Sequence, residues 1–171
     1  QEKIWMFYNM NSKEVFFEIY DEKVWPSKPL FYVCAPSKTD PTVAPIGKEN
    51  IFILMPIAPG LLDSEVTREK YYDVILNRLK NYLGFDLKES IIYKRSYCVN
   101  DFVSDYNSYK GNAYGLANTL SQTANLKPKI QNKKLSNLFY AGQLTVPGPG
   151  VPPSIISGQV AANLLNQQLK S

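Results

Sequence analysis

The stretch GQLTVPGPGVPPS, from Gly142 to Ser154, constrains the fold more than any other part of the sequence. It sets four prolines and three glycines between an apolar run, LFYAG, and a helix-like segment. Proline fixes φ and lacks an N–H, so neither a helix interior nor a central strand passes through here. The chain must instead form a stiff loop that ends in a helix. Pro152 and Pro153 mark the helix start, because proline is tolerated in the first turn. The N–H groups of Ser154 and Ile155 are then expected to point out of an end that carries about half a positive charge. Gly148 and Gly150 leave room for a flat or anionic group against the backbone. On the residues alone two readings stay open: a rigid strand-to-helix turn, or a cradle for a ligand with electron-rich oxygens.

The elements around the loop follow from hydrophobic period and punctuation. Lys3 to Tyr8 is rich in β-formers and reads as a strand. Ser12 can cap a helix on which Val15, Phe16, Ile19 and Tyr20 recur at helical spacing, with a strand as the alternative because VFFEIY is rich in β-formers. Leu30–Ala35 and Ile51–Ile57 read as buried strands separated by a proline-rich loop. The helix predicted over 64–83 has Asp63 or Ser64 as its cap and Gly84 as its stop. Its face is formed by Tyr72, Ile75, Leu76, Leu79, Tyr82 and Leu83, and it is expected to cover a sheet. Ile91–Val99 alternates as a strand would, and 101–110 reads as a short helix carrying Phe102, Tyr106 and Tyr109. Leu138–Ala141 reads as a short buried strand before the final helix, from near Pro152 to about Gln168. That order of strand, glycine-rich loop and helix is half of a dinucleotide-type unit.

Composition excludes several chemistries. The chain has no histidine, so it supplies no histidine base and no histidine-rich metal site. No metal is expected. Cys34 and Cys98 lack CxxC spacing and read as reduced thiols of a cytosolic protein. The net charge of +4 is small for 171 residues, and nucleic acid is not the expected partner. The longest apolar run, from Ile51, is broken by Pro56 and Pro59 and falls short of the roughly 20 residues that span a bilayer. There is no GxGxxG fingerprint and no complete βαβ unit, so the chain reads as a fragment of a longer protein.

Three motifs point to a family. The tail NLFYAGQLTVPGPGVPPSIISGQVAANLL resembles the C-terminal signature of the bacterial-type phytoene desaturases. These are carotenoid desaturases of the FAD-dependent amine-oxidase-like superfamily. Asn137, Gly142, Thr145, Pro147, Gly148, Gly150, Val151, Pro152, Ser157 and Gly158 match its pattern. PLFYVCAPSKTDPTVAPIGKENIFILMPIAP and YKGNAYGLANTLSQTANLKP are similar to two further motifs of the family, in the same order. Val146, Gln143 and Lys127 depart from it, standing where the pattern has a histidine, a small residue and an arginine.

The resemblance implies a fold of class α/β, α+β in its substrate part. The chain would be the C-terminal fragment of a two-domain FAD-binding flavoprotein. Residues 1–108 would form a substrate-domain portion, a mixed sheet with helices on one face and the covering helix 64–83. Residues 109–171 would return to the FAD-binding domain and supply the last strand–helix unit of its Rossmann-like fold. Gly142 and Gln143 would sit by the ribitol and pyrophosphate of FAD. Gly148 would leave room beside it, and Gly150, Val151 and Pro152 would face the flavin pyrimidine. The reaction implied is hydride removal from a C–C single bond of a long isoprenoid, leaving a conjugated double bond. Phe102, Tyr106, Tyr109 and Tyr114 are candidates to line the substrate path, with core packing as the plainer reading of each. Asp101 can be a base or a helix cap. The catalytic residues are not identified, and the chain by itself is expected to be inactive. The whole enzyme is expected in the cytoplasm, at the inner face of the membrane where a water-insoluble carotenoid resides. A carotenoid or retinoid isomerase, a saturase, and a non-catalytic lipid-binding module of the same fold are the alternatives.

Overall fold

The computed structural model describes residues 5–7, 12–116, 120–123 and 126–170. Three short strands, β1 (Trp5–Phe7), β2 (Phe31–Cys34) and β3 (Phe52–Leu54), form one sheet in the order β1-β2-β3. Both pairings are antiparallel, with Trp5 opposite Val33 and Val33 opposite Ile53. The mixed sheet expected from the resemblance is therefore antiparallel among the described residues.

β2 alternates as a half-covered strand should. Phe31 and Val33 are buried, while Tyr32 and Cys34 are only partly covered. Helix α2 (Glu65–Leu83) lies over this buried face, placing Ile75, Leu76 and Leu79 against Phe31 and Val33. Its boundaries are those the sequence predicts. The Ser64 hydroxyl accepts the Thr67 N–H at 3.2 Å, and Gly84, left-handed at φ 80°, donates to the Lys80 carbonyl at 2.9 Å. The buried face differs by one ring. Tyr82 is 64% exposed, whereas Tyr71 is buried, stacks on Trp25 at 4.9 Å and donates its hydroxyl to the Pro26 carbonyl at 2.8 Å.

Helix α1 (Ser12–Phe17) runs into one π-helical turn, Glu18–Glu22. Val15 and Ile19 pack with Ala58 in a second small core, and Phe16 and Tyr20 stack on the outside. Two further α-helices lie among the described residues: α3 (Val99–Tyr106) and α4 (Val151–Lys170).

Three predicted strands are altered. Phe52–Leu54 is shorter than the Ile51–Ile57 predicted, and Phe52 is 50% exposed. Among the described residues Ile91–Val99 pairs with no strand, and Ile92 and Tyr93 are more than 70% exposed. Side chains hold this segment on α2: Lys94 stands 4.3 Å over the Tyr72 ring, and Ser96 accepts from Arg68. Alternation makes a strand only where a ladder partner exists. In place of the buried strand Leu138–Ala141 there is a single bridge, Gln131 to Phe139, with Leu138 and Tyr140 exposed.

Candidate functional site

The loop from Gly142 to Gly150 is built from backbone and hydroxyls. Gly142, Gly148 and Gly150 all have left-handed φ, at 107°, 134° and 111°, and the Val146–Pro147 peptide is cis. Ser157, fully buried on α4, accepts the Gly142 N–H at 2.7 Å and donates to the Ser154 carbonyl at 2.6 Å. Buried Thr145 turns back on the loop, donating N–H and hydroxyl to the Gly142 carbonyl at 3.1 and 2.9 Å. The loop is thus latched to the helix it precedes.

The start of α4 offers fewer donors than the sequence led us to expect. Ser154 donates its N–H to the Gly150 carbonyl at 3.0 Å, closing the first turn of the helix. Pro152 and Pro153 have no N–H to give. In the first turn only Val151 brings a backbone donor, and its side chain is 74% exposed. The dipole remains, but the N-terminus is a patch of positive potential more than a cluster of donors.

The three loop glycines differ in their surroundings. A Cβ on Gly142 would meet nothing within 4 Å, so bare backbone faces open space there. Gly148 is buried, and a Cβ on it would lie 3.3 Å from Cε of Lys127, itself buried at 5% exposure. Its φ and this internal neighbour account for glycine without any ligand. Gly150 is exposed, and a Cβ there would lie 3.4 Å from Cδ of Pro153. Gln143 is half-buried beside Gly115, where any side chain would collide with Leu144. Gly115 is therefore packed onto the loop.

The candidate lining aromatics divide into two groups. Phe102 and Tyr106 of α3 lie 6.1 Å apart, and Tyr97, which the sequence reading did not single out, joins them at 4.8 and 6.5 Å. The Tyr97 hydroxyl donates to the Asp105 carboxylate at 2.6 Å. Desolvation, and then that hydrogen bond, push its pKa up to about 12. Tyr109 and Tyr114 lie beyond the helix, 76% and 62% exposed, and neither ring stacks with the trio among the described residues.

A polar knot missed from the sequence fixes α3 against α2. Arg68 grips Asp63 through both carboxylate oxygens, at 2.7 and 2.6 Å, and reaches Asp101 at 2.7 Å. Asn100 donates to Asp63 from both its backbone and side-chain nitrogens. The Asp63 side chain is fully buried. Hydrogen bonding from Arg68, more than the Asn100 N–H, holds its pKa below the usual carboxylate value. Asp101 accepts the Cys98 N–H at 2.8 Å, so it caps α3 as the plainer reading expected. The readable signal was an acidic residue three positions into a helix, with cysteine where serine usually stands.

Among the described residues no group of histidine, cysteine or carboxylate side chains can hold a metal ion, and no helix is long and apolar enough to cross a membrane. Cys34 and Cys98 form no disulfide with each other.

No family model matches the chain. It is 43% identical over 154 residues to a carotenoid 3,4-desaturase of Haloarcula japonica, covering 90% of this chain and 31% of that protein. It is 33% identical to a 4,4'-diaponeurosporene oxygenase of Staphylococcus haemolyticus, over 93% of this chain and 32% of that protein. A 4,4'-diaponeurosporene oxygenase of Staphylococcus aureus is 32% identical over 94% of this chain and 33% of its own length. The chain thus spans about a third of the length of these curated relatives.

Proposed function

We propose, for a chain that is carotenoid-desaturase-like over nine-tenths of its length, that it forms the C-terminal portion of an FAD-dependent enzyme introducing double bonds into a long isoprenoid such as phytoene. The observation that carries this reading is bare, left-handed backbone leading to the exposed start of α4, in a relative of a named carotenoid desaturase. In this reading residues 1–108 belong to a substrate domain. Residues 109–171 return to an FAD-binding domain, where α4 closes a Rossmann-like unit.

The open backbone and positive helix end of the loop support a place for the flavin end of FAD. Gly142 leaves open space beside the backbone, Gln143 brings a carboxamide, and Val151 brings the one backbone donor of the first helical turn. Gly142, Gln143, Gly150, Val151 and Pro152 are the residues that would hold it, with Gly148 shaping the loop from beneath. FAD, when bound, supplies the hydride acceptor. The positive end of α4 favours added negative charge at the edge it faces. Phe102 and Tyr106, with Tyr97, offer a group of aromatic rings against which a polyene could lie. Asp101 is committed to the Cys98 N–H and Arg68 and is not assigned as the base. A water-insoluble substrate would favour a membrane surface as the working place of the whole enzyme.

A second reading rests on the relatives named as diaponeurosporene oxygenases: oxidation that adds oxygen to a carotenoid. Incubating the whole enzyme, loaded with FAD, with phytoene separates the two. Absorption bands moving to longer wavelength, with two hydrogens lost per new double bond, support desaturation. A product that gains oxygen without new conjugation supports the second reading. Unchanged phytoene beside turnover of an already conjugated carotenoid would count against the phytoene assignment.

A further inference from the structure

The charge of this chain is divided more sharply than its net value suggests. Of 19 basic and 15 acidic residues, six lysines and no acidic residue fall after Asp105, so residues 106–171 are purely cationic and residues 1–105 are net negative. An asymmetry of this kind marks a region that meets an anion.

Three of the six lysines surround one open pocket of about 590 Å³, lined by Lys129, Lys133 and Lys134 with Ser136 and Ile130, and by Leu164 of α4. The pocket is shaped by a hairpin. Tyr140 donates to the Ile130 carbonyl at 2.7 Å and Asn132 to the Leu138 carbonyl at 2.9 Å. The Asn132 side chain closes the tip by accepting the N–H groups of Lys134 and Leu135 at 2.8 and 3.0 Å. Gln131 ties the hairpin to Gln168 of α4 at 3.4 Å. Among the described residues no carboxylate forms an ion pair with any of the three lysines, whereas Lys38, Lys80, Lys88 and Lys94 of the first part each have one. Three exposed ammonium groups on a tied hairpin repel one another, and the arrangement is relieved when an anion of charge two or more sits between them.

We propose that this pocket binds a phosphate-bearing anion, held by Lys129, Lys133 and Lys134, with the Ser136 hydroxyl as a further donor. The site is separate from the Gly142–Pro153 loop and independent of the flavin reading. Phosphate of this kind comes either from a free polyphosphate or from the headgroup of an acidic lipid.

The test uses the 171-residue chain with two probes: inorganic pyrophosphate, followed by calorimetry, and vesicles of phosphatidylglycerol with phosphatidylcholine, followed by co-sedimentation. Pure phosphatidylcholine vesicles are the control. At least one phosphate probe is expected to bind saturably and to be released at about 1 M salt, where charges are screened beyond roughly 3 Å. The triple variant Lys129→Gln, Lys133→Gln, Lys134→Gln should bind about a hundredfold more weakly, at roughly fivefold per lysine. Lys80→Gln with Lys88→Gln should bind as the parent does. Circular dichroism confirms that both variants are folded. Binding of pyrophosphate alone identifies a free phosphate compound, and binding of the acidic vesicles alone identifies a lipid headgroup. Failure of both probes, or equal binding by the triple variant, overturns the proposal.

Discussion

Helices α2 and α4 are almost equal in length, 19 and 20 residues, and both carry a stripe of apolar side chains. In α2 the stripe turns inward: Tyr71, Ile75, Leu76 and Leu79 are buried against β2 and its surroundings. In α4 Val151, Ile155 and Leu169 are 67–76% exposed, and the buried residue is a serine. The first helix is held by the area its side chains remove from water. The second is held by polar contacts, Ser157 bonded to Gly142 at its N-terminal end and Gln168 to Gln131 near its C-terminal end. A similar pattern of residues therefore does two different jobs. One face builds a core, and the other keeps a loop in shape while leaving its apolar strip uncovered by the described residues.

The sharpest way to break this contrast is a matched pair of truncations. Leu79→Ala should cost about 2–5 kcal/mol, since Leu79 is 1% exposed in the core. Leu169→Ala, at 76% exposed, should stay within about 0.5 kcal/mol. Equal losses in urea unfolding would mean that α4 is packed like α2, and the comparison would fail.

Next in size is the knot that joins α2 to α3. Asp63→Asn should cost about 3 kcal/mol, because Arg68 loses the fully buried one of its two carboxylate partners and keeps only Asp101. The folded pKa of Asp63 lies below its unfolded value of about 3.9. Its contribution is therefore complete above that value and is lost as pH falls through the folded pKa. The stability gap between parent and variant should be constant from about pH 5 to 8 and narrow as pH falls below the unfolded value. A gap that widened on acidification would contradict the assignment. Smaller still, Ser157→Ala should cost about 1–2 kcal/mol by stranding the Gly142 N–H. It should also raise hydrogen exchange at Gly142 well before it affects the β2–α2 core.

What could be read from the sequence follows the same division. The caps of α2 were legible because Ser64 and Gly84 act locally, and the start of α4 was legible because Pro152 and Pro153 permit nothing else. The short apolar run Leu30–Ala35 located β2. The misreadings share one cause: Ile91–Val99 and Leu138–Ala141 have strand-like residues but no partner for a ladder, and pairing is not a local property. Tyr82 and Tyr71 exchanged places because Trp25, 46 residues before Tyr71 in the chain, supplies the stacking surface. The Asp63–Arg68–Asp101 knot joins two helices across a long segment, so spacing could not show it. At the candidate site, the sequence located the loop but overstated its donors. Prolines that define a helix start also remove the N–H groups that an anion would use.

The central claim, that an electron-rich cofactor edge faces the start of α4, is tested most directly at Val151. This side chain is 74% exposed at the first helical position. Val151→Asp places a carboxylate where the helix dipole welcomes it, worth about 0.3–1 kcal/mol of added stability. The same carboxylate would repel an oxygen-bearing flavin edge. Measured on the whole enzyme, the ratio of FAD to folded protein should fall sharply while the thermal midpoint holds or rises. A Val151→Asp enzyme that is folded and keeps its full complement of FAD would contradict the account.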